Sequence, residues 1–579
     1  MSLDDLRIEQ SPISYRTRNK YKTILEYNTS HPFVSASDLQ NFCFDDAFSD
    51  VLDLYFSPPQ PHPLESLFQK GIDFENNVIQ QLREKTGLDL PKLSSHKTSR
   101  DYSYHDSKRD FSVTLQAMNR GDPILYSAYL WDEEKKIHGI PDLLVRNDYL
   151  SVLFPHVTNY TNYTHTYYYV PVEIKYSSLH RTATKFLSNS GRMKYYKTQL
   201  MMYNKLLISI QNVFPGFAFI IGKRLVNSDG TIEKNIESPG YINYLTKDSA
   251  YVSMTENAIQ WIKTVKQYGM TWNLFDTNTI TTYQLYPNMK VVHPYHEKIK
   301  KQWATHIDEI TQIWRCSPTH RQNAQQNGIW SWKDQRCTAS SLGINGEYSK
   351  IVDAILLINR SEDATYLPKQ LGKKEMGEME KIGNPEDVMY IDFETMYDQE
   401  NETNRIFMIG VLYHSAYHCF CMNENTMEEE HRIMTDFYDY YTEVNKPIAL
   451  YWYAESSFWN TACQHHKDAN RLENINWMDL YPLWTSCPIV FKGAFNFKLK
   501  TLISAMKKLG YTTIDLPPEE CEDGMKAMKI ADHYYAYGDN VTEWLSIQRY
   551  NELDCYYVKE LYGFMTKIKD DSMICIDHL

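Results

Sequence analysis

The chain has 579 residues, 42% of them hydrophobic and 23% charged, with a net charge of −13. That length predicts about three or four domains, and the apolar content excludes wholesale disorder. The acidic balance argues against a binder that relies on a bulk basic field. It does not argue against a nuclease, whose metal-binding carboxylates make its site acidic.

Residues 1–30 are polar and patternless and read as a loose tail. A helical period runs over 35–55, with Ser37 and Asp38 placed to cap it, and SPPQPHP (57–63) breaks it. An amphipathic helix follows over 63–87, ending at Gly87. Strand-like runs at 122–131, 139–146 and 167–177, a long helix over 182–210 and a strand at 217–224 then predict an α/β core. Residues 255–360 read as mostly helical, and the charged segment 360–387 as a linker or surface hairpin. A second α/β core opens with the strand at 388–396. It continues through 407–422, a helix at 427–444, a strand at 447–454 and further helices.

No apolar run reaches the roughly 18 residues that a membrane span needs. The start, MSLDDLRIEQ, lacks the apolar core of a secretory signal. Ten cysteines without a CxxC pair predict free thiols in a reducing intracellular setting: cytoplasm, nucleus or the cytoplasm of a host. Cys463, His465 and His466 lack the second ligand pair of a zinc site and read as free core or surface residues, while Cys316, His320 and Cys337 form a looser zinc possibility.

Two acid-free basic windows stand out in so acidic a chain. Tyr176 to Arg224 holds eight Lys/Arg, among them Arg181, Lys185, Arg192, Lys194 and Lys197. Cys487 to Ile514 holds five lysines, including Lys498 and Lys500. These residues are the expected contacts to a nucleic-acid backbone.

Two acidic motifs carry the chemistry. In VPVEIKY, strand alternation puts Glu173 and Lys175 on one face and Val172 and Ile174 on the other. A carboxylate for Mg2+ beside an ammonium that steadies developing charge suits phosphodiester hydrolysis. Asp142, in HGIPDLLV, supplies a second acid. In MYIDFET, Asp392 and Glu394 likewise share a face, and in RYNELDCYYVKELYGFM Tyr550 and Asp554 lie one helical turn apart. Converging carboxylates repel unless cations neutralise them, as in two-metal phosphoryl transfer.

The first set resembles the RecB-like branch of the PD-(D/E)XK nucleases. There an upstream helix carries a glutamate after a glycine (KGIDFE, Glu75) and a downstream helix a Gln and a Tyr four apart (TQLMMY, Gln199 and Tyr203). The gap between Asp142 and Glu173 holds an insertion, NYTNYTHTYYY, expected in a hairpin loop. Some relatives carry a four-cysteine iron–sulfur cluster. Here only Cys43 lies upstream and no cysteine triplet follows, so no cluster is expected.

The second set resembles the DEDD 3′–5′ exonucleases of the RNase H-like fold, more narrowly the YprB-type group in its tyrosine subclass. By that resemblance Asp392 bridges two metals, Glu394 and Asp554 hold one each, and Tyr550 orients the water. The family's remaining acid follows an Asn or Tyr and a Phe. This chain has YWYAESSFWN there, which leaves Glu455 as the candidate and Asp479 as the alternative.

The fold class implied is an α/β multidomain chain. It joins a PD-(D/E)XK restriction-endonuclease-like domain (31–254), a helical connecting region (255–375) and an RNase H-like domain (376–579). The pairing resembles a two-nuclease architecture of microbes and large DNA viruses. It implies a Mg2+- or Mn2+-dependent nuclease that acts on DNA, trimming 3′ ends at one site and cutting ends or internal bonds at the other. RNA as substrate and a non-catalytic scaffold remain alternatives. No P-loop or helicase motif is visible, so any unwinding falls to a replication or repair partner.

Overall fold

The structure is a computed structural model that describes residues 33–56, 65–95, 104–155, 167–234, 236–272, 285–293, 295–398, 403–466, 472, 474–538 and 541–576. The expected tail, the 57–63 break and residues 159–166 of the insertion lie outside them. The chain is mixed α/β and divides into two compact units, Met1–Glu309 and Ile310–Leu579. The division falls inside the stretch expected to connect two domains. Among the described residues no helix is long and apolar enough to cross a membrane.

In the N-terminal unit, helix α1 (Glu65–Thr86) precedes strands β1 (Ile124–Tyr126), β2 (Leu143–Arg146) and β3 (Tyr169–His180). Helix α2 (Met193–Gln211) then crosses to β4 (Phe217–Val226), followed by β5 (Ile232–Glu233), β6 (Gly240–Asn243) and α3 (Ala250–Tyr268). The sheet order is β1-β2-β3-β4-β5, with β6 also on β4. Strands β1, β2 and β3 pair antiparallel, and β3 and β4 pair parallel across the α2 crossover. Both sheet faces are covered. Val172, Ile174, Phe219 and Ile221 pack with Val78, Ile79 and Leu82 of α1, while Leu144, Ala218 and Ile220 pack with α2 and α3.

The sequence expectations fail locally where one residue redirects the backbone. The 35–55 period is split into the short helices Ala36–Leu39, Gln40–Cys43 and Phe48–Tyr55, with Asp45 at φ 55 between the last two. Ser35, not Ser37, caps the first turn, and Asp38 closes the capping box. Helix α2 begins at Met193 rather than 182, after a turn closed by the Arg181–Leu187 bridge and ended by Gly191 at φ 56. Helix Tyr104–Arg120 was not anticipated.

The C-terminal unit is built on β7 (Met389–Asp398), β8 (Thr403–Tyr413), β9 (Ala416–Cys421), β10 (Ala449–Tyr451) and β11 (Trp477–Asp479). Helices α4 (Met427–Glu443) and α5 (Glu455–His465) flank β10 in sequence, and α6 (Leu480–Ser486), α7 (Leu499–Lys508), α8 (Gly524–Tyr537) and α9 (Val541–Ile576) follow the sheet. Its order is β9-β8-β7-β10-β11. The β7–β8–β9 ladder is antiparallel, and β10 and β11 join in parallel. Met389, Ile391 and Phe393 face α4 and α5, and Tyr390 packs on the opposite side with Leu553 and Tyr557 of α9. The segment 360–387 is no linker. It contains helix Lys373–Ile382, whose Met379 and Ile382 are buried with Leu371 in this unit's core.

Candidate functional site

The N-terminal unit gathers its acids around Glu173. Strand β3 turns Glu173 and Lys175 toward α2, where the Lys175 ammonium donates to Glu173 Oε1 at 2.6 Å. Gln199 Nε2 donates to the same oxygen at 3.0 Å and to the Tyr203 hydroxyl at 2.9 Å, and that hydroxyl donates to the Ile140 carbonyl at 3.2 Å. Gln199 and Tyr203 sit one turn apart on α2, so the helix presents both to one carboxylate. Gly139 makes the approach possible, since a Cβ there would lie 2.5 Å from the Tyr203 ring.

Asp142 enters from the loop before β2. Its Oδ2 accepts from the Ile174 amide at 2.7 Å, and its own amide lies 3.4 Å from Glu173 Oε2. Glu75 on α1 accepts from the Tyr126 hydroxyl at 2.8 Å. Tyr126 is a contact that the sequence reading missed. Burial, then the charge of Glu173, pushes the Asp142 carboxyl well above its ordinary range, and burial raises Glu173. Burial opposes the Lys175 ammonium, yet Glu173, Asp142 and Tyr195 outweigh it and hold the lysine above its ordinary value. Gln199 Oε1 is buried without a hydrogen-bond partner.

In the C-terminal unit the convergence is tighter. Asp392 and Glu394 project from one face of β7, and Asp554 and Tyr550 from the face of α9 that covers it. Asp392, Glu394 and Asp554 each offer an oxygen, all within 4.8 Å of one another; among the described residues this is the one cluster of three such ligands. A cavity of about 380 Å3 opens over them, lined also by Tyr550, Thr395 and Met528. After Glu394 the register with β8 shifts, Phe407 being left over between Met408 and Ile406, and the pairing then continues to Asp398.

Burial is the first cause of every shift here; the like charge of neighbouring acids adds to it at Asp392 and Glu394, whereas at Asp554 the Lys500 ammonium opposes it. Asp392 and Glu394 stand well above the ordinary carboxylate range, and Asp554 is pushed up to about 6. Burial and the Asp554 charge also raise the Tyr550 phenol. Asp554 Oδ1 is buried with no hydrogen-bond partner.

A second layer fixes these groups. Asn551 Nδ2 donates to the Asp392 carbonyl at 3.0 Å and to its Oδ2 at 2.7 Å, while Asn551 Oδ1 accepts from the Tyr417 hydroxyl at 2.8 Å. Gly410 pairs with Asp392 across the β7–β8 ladder, and a Cβ on it would collide with the Asn551 amide. Asn551, Tyr417 and Gly410 were not picked out from the sequence. The only local signal is the position of Asn551 between Tyr550 and Asp554.

Glu455 opens α5 and is buried, its Oε2 accepting from the Ala454 amide at 3.0 Å. Burial pushes it up to about 8, with Asp479 and Asp554 adding to the effect. It lies outside the three-carboxylate group. Asp479 is the N-cap of α6, accepting from the Tyr481 and Tyr453 amides at 2.9 and 3.1 Å.

The basic residues separate into different roles. Lys197 is not a nucleic-acid contact: it is fully buried, 2.7 Å from Asp248, and also donates to Asn189 and to the Leu187 carbonyl. Arg181 is held 3.1 Å from Glu233, and Lys194 lies 3.8 Å from Asp45. Lys185, Arg192 and Lys498 are exposed. Lys500 packs against two residues of the acidic cluster, its ammonium donating to the Tyr550 hydroxyl and standing 3.6 Å from Asp554 Oδ2. Of the zinc candidates, His466 sits 3.2 Å from Glu430, and Cys316 and Cys337 are buried. No family model matches the chain, and no curated protein or solved structure does.

Proposed function

We propose that the chain is a Mg2+- or Mn2+-dependent nuclease that hydrolyses DNA phosphodiester bonds at two separate sites, in the service of replication, repair or recombination. The observation that carries this reading is the convergence of Asp392, Glu394 and Asp554 within 4.8 Å, with the buried Asp554 Oδ1 left without a partner. Three hard oxygen donors held together against their own repulsion suit a small divalent cation. Such an ion, when bound there, supplies Lewis-acid polarisation of a phosphoryl oxygen.

The protein's own groups do the rest. Tyr550 lines the cavity beside Asp554, where its hydroxyl would orient an attacking water. The cavity over the acids, about 380 Å3, gives a substrate phosphate room to reach them. The strand order 3-2-1-4-5, with its second strand antiparallel to the first, agrees with an RNase H-like fold; the 3′ polarity rests on the resemblance alone. In the N-terminal unit, the helix–three strands–helix–strand succession around Glu173 and Lys175 agrees with a PD-(D/E)XK core. There Asp142 and Glu173 would hold a divalent cation, and Lys175 would orient a water against the phosphate.

The test is a pair of variants with the products resolved on gels. Lys175→Ala and Asp392→Ala should each remove one cleavage pattern and leave the other. Survival of both patterns in both variants would overturn the assignment.

A further inference from the structure

Lys500 holds a place that backbone recognition does not explain. It sits on the first turn of α7, two residues after the exposed Lys498, but turns inward. Its ammonium donates to the Tyr550 hydroxyl, lies 3.8 Å from the centre of the Tyr550 ring and stands 3.6 Å from Asp554 Oδ2. Its charge acts most on Asp554, the acid it contacts, then on Glu394 and least on Asp392. The donor set beside it is small: three carboxylates converge, while Glu455 stays outside the group. Three carboxylates and one ammonium leave a net charge of −2, which a single divalent ion neutralises.

We propose that Lys500 is a catalytic residue of this site, its ammonium standing in for one of the two cations, so that the site works with a single divalent ion. The inference rests on the nuclease reading above. In the hydrolysis, a water oxygen bonds to phosphorus as the P–O3′ bond breaks. The water's proton passes to solvent, and the departing 3′ oxygen keeps the bonding electron pair and takes up a proton. The products are a nucleoside 5′-monophosphate and a strand ending in a 3′ hydroxyl. Lys500 stays protonated throughout and donates to a non-bridging phosphoryl oxygen, where negative charge accumulates.

The experiment is Mn2+ titration by calorimetry, with electron paramagnetic resonance on the same samples. Glu173→Gln is carried in every sample so that the N-terminal unit does not contribute. Expected is one Mn2+ per chain with an uncoupled six-line spectrum, and a second, weaker ion with a spin-coupled spectrum in Lys500→Gln. Two Mn2+ per chain with Lys500 intact overturns the inference and leaves the nuclease reading standing. Absence of any Mn2+ uptake that depends on Asp392 overturns the nuclease reading itself. The stoichiometry with Lys500 intact decides the matter even if Lys500→Gln does not fold. In turnover, Lys500→Gln should lower kcat by about 10²–10³-fold with KM little changed, whereas Lys498→Gln should move KM alone. A rise in KM at constant kcat for Lys500→Gln marks it as an ordinary backbone contact.

Discussion

Gly410→Ala reaches the acidic cluster without touching any of its carboxylates. A Cβ at this position would collide with Asn551 Oδ1 and come within 2.7 Å of its Cγ. Asn551 is fully buried in α9 and has no room to retreat. Overpacking of this kind costs about 1–3 kcal/mol, and weakening the Asn551 bonds to the Asp392 carboxylate adds ~1.5–3 kcal/mol. A total of about 2.5–6 kcal/mol lowers Tm by roughly 5–24 °C for a body of this size. Because Asn551 orients Asp392, Mn2+ affinity should fall by about 10–100-fold as well. Scanning calorimetry with and without Mn2+ reads both effects. The double variant isolates the cause: in an Asn551→Ala background the obstructing atoms are gone, so adding Gly410→Ala should cost under about 1 kcal/mol. An equal cost in both backgrounds refutes the argument.

The remaining predictions bear on charge and burial. Lys197→Ala breaks a buried ion pair and should destabilise the protein by about 3–5 kcal/mol in denaturant titration. Arg192→Ala should leave stability unchanged and weaken DNA binding in a salt-dependent manner. Glu455 is raised from 4.5 to about 8, so the folded state binds its proton more tightly than the unfolded chain does. Stability of the metal-free protein therefore falls as pH rises across that window, and Glu455→Gln should flatten the fall in a Tm-against-pH series. Mn2+ at roughly 100 times its dissociation constant should stabilise the protein by about 2.7 kcal/mol; Asp392→Asn should abolish most of the resulting shift in Tm.

What the sequence makes legible is what depends on near neighbours along the chain. Strand alternation alone puts Glu173 beside Lys175 and Asp392 beside Glu394, and a helical turn alone aligns Tyr550 with Asp554 and Gln199 with Tyr203. What stays hidden depends on pairings between distant segments. Lys197 reads as one of a row of exposed cations because its partner, Asp248, lies 51 residues away. Gly410 and Asn551 acquire meaning only from the β7–β8 register and the seat of α9 on it, 159 residues beyond Asp392. The charged segment 360–387 reads as a linker because the apolar residues it buries are few and spaced among lysines and glutamates. Lys498 and Lys500 look equivalent in FNFKLKTLI, yet one stands at the start of α7 in solvent and the other lies against Tyr550 and Asp554.

The central claim is that the Asp392 cluster cuts nucleic acid with the help of a divalent cation. Single- and double-stranded DNA, labelled at either end, incubated with the purified protein in Mn2+ or in EDTA, tests it most directly. The account predicts Mn2+-dependent shortening from the 3′ end that disappears in EDTA and in Asp392→Ala. Intact DNA under Mn2+, or a 3′ ladder that persists in Asp392→Ala, contradicts it.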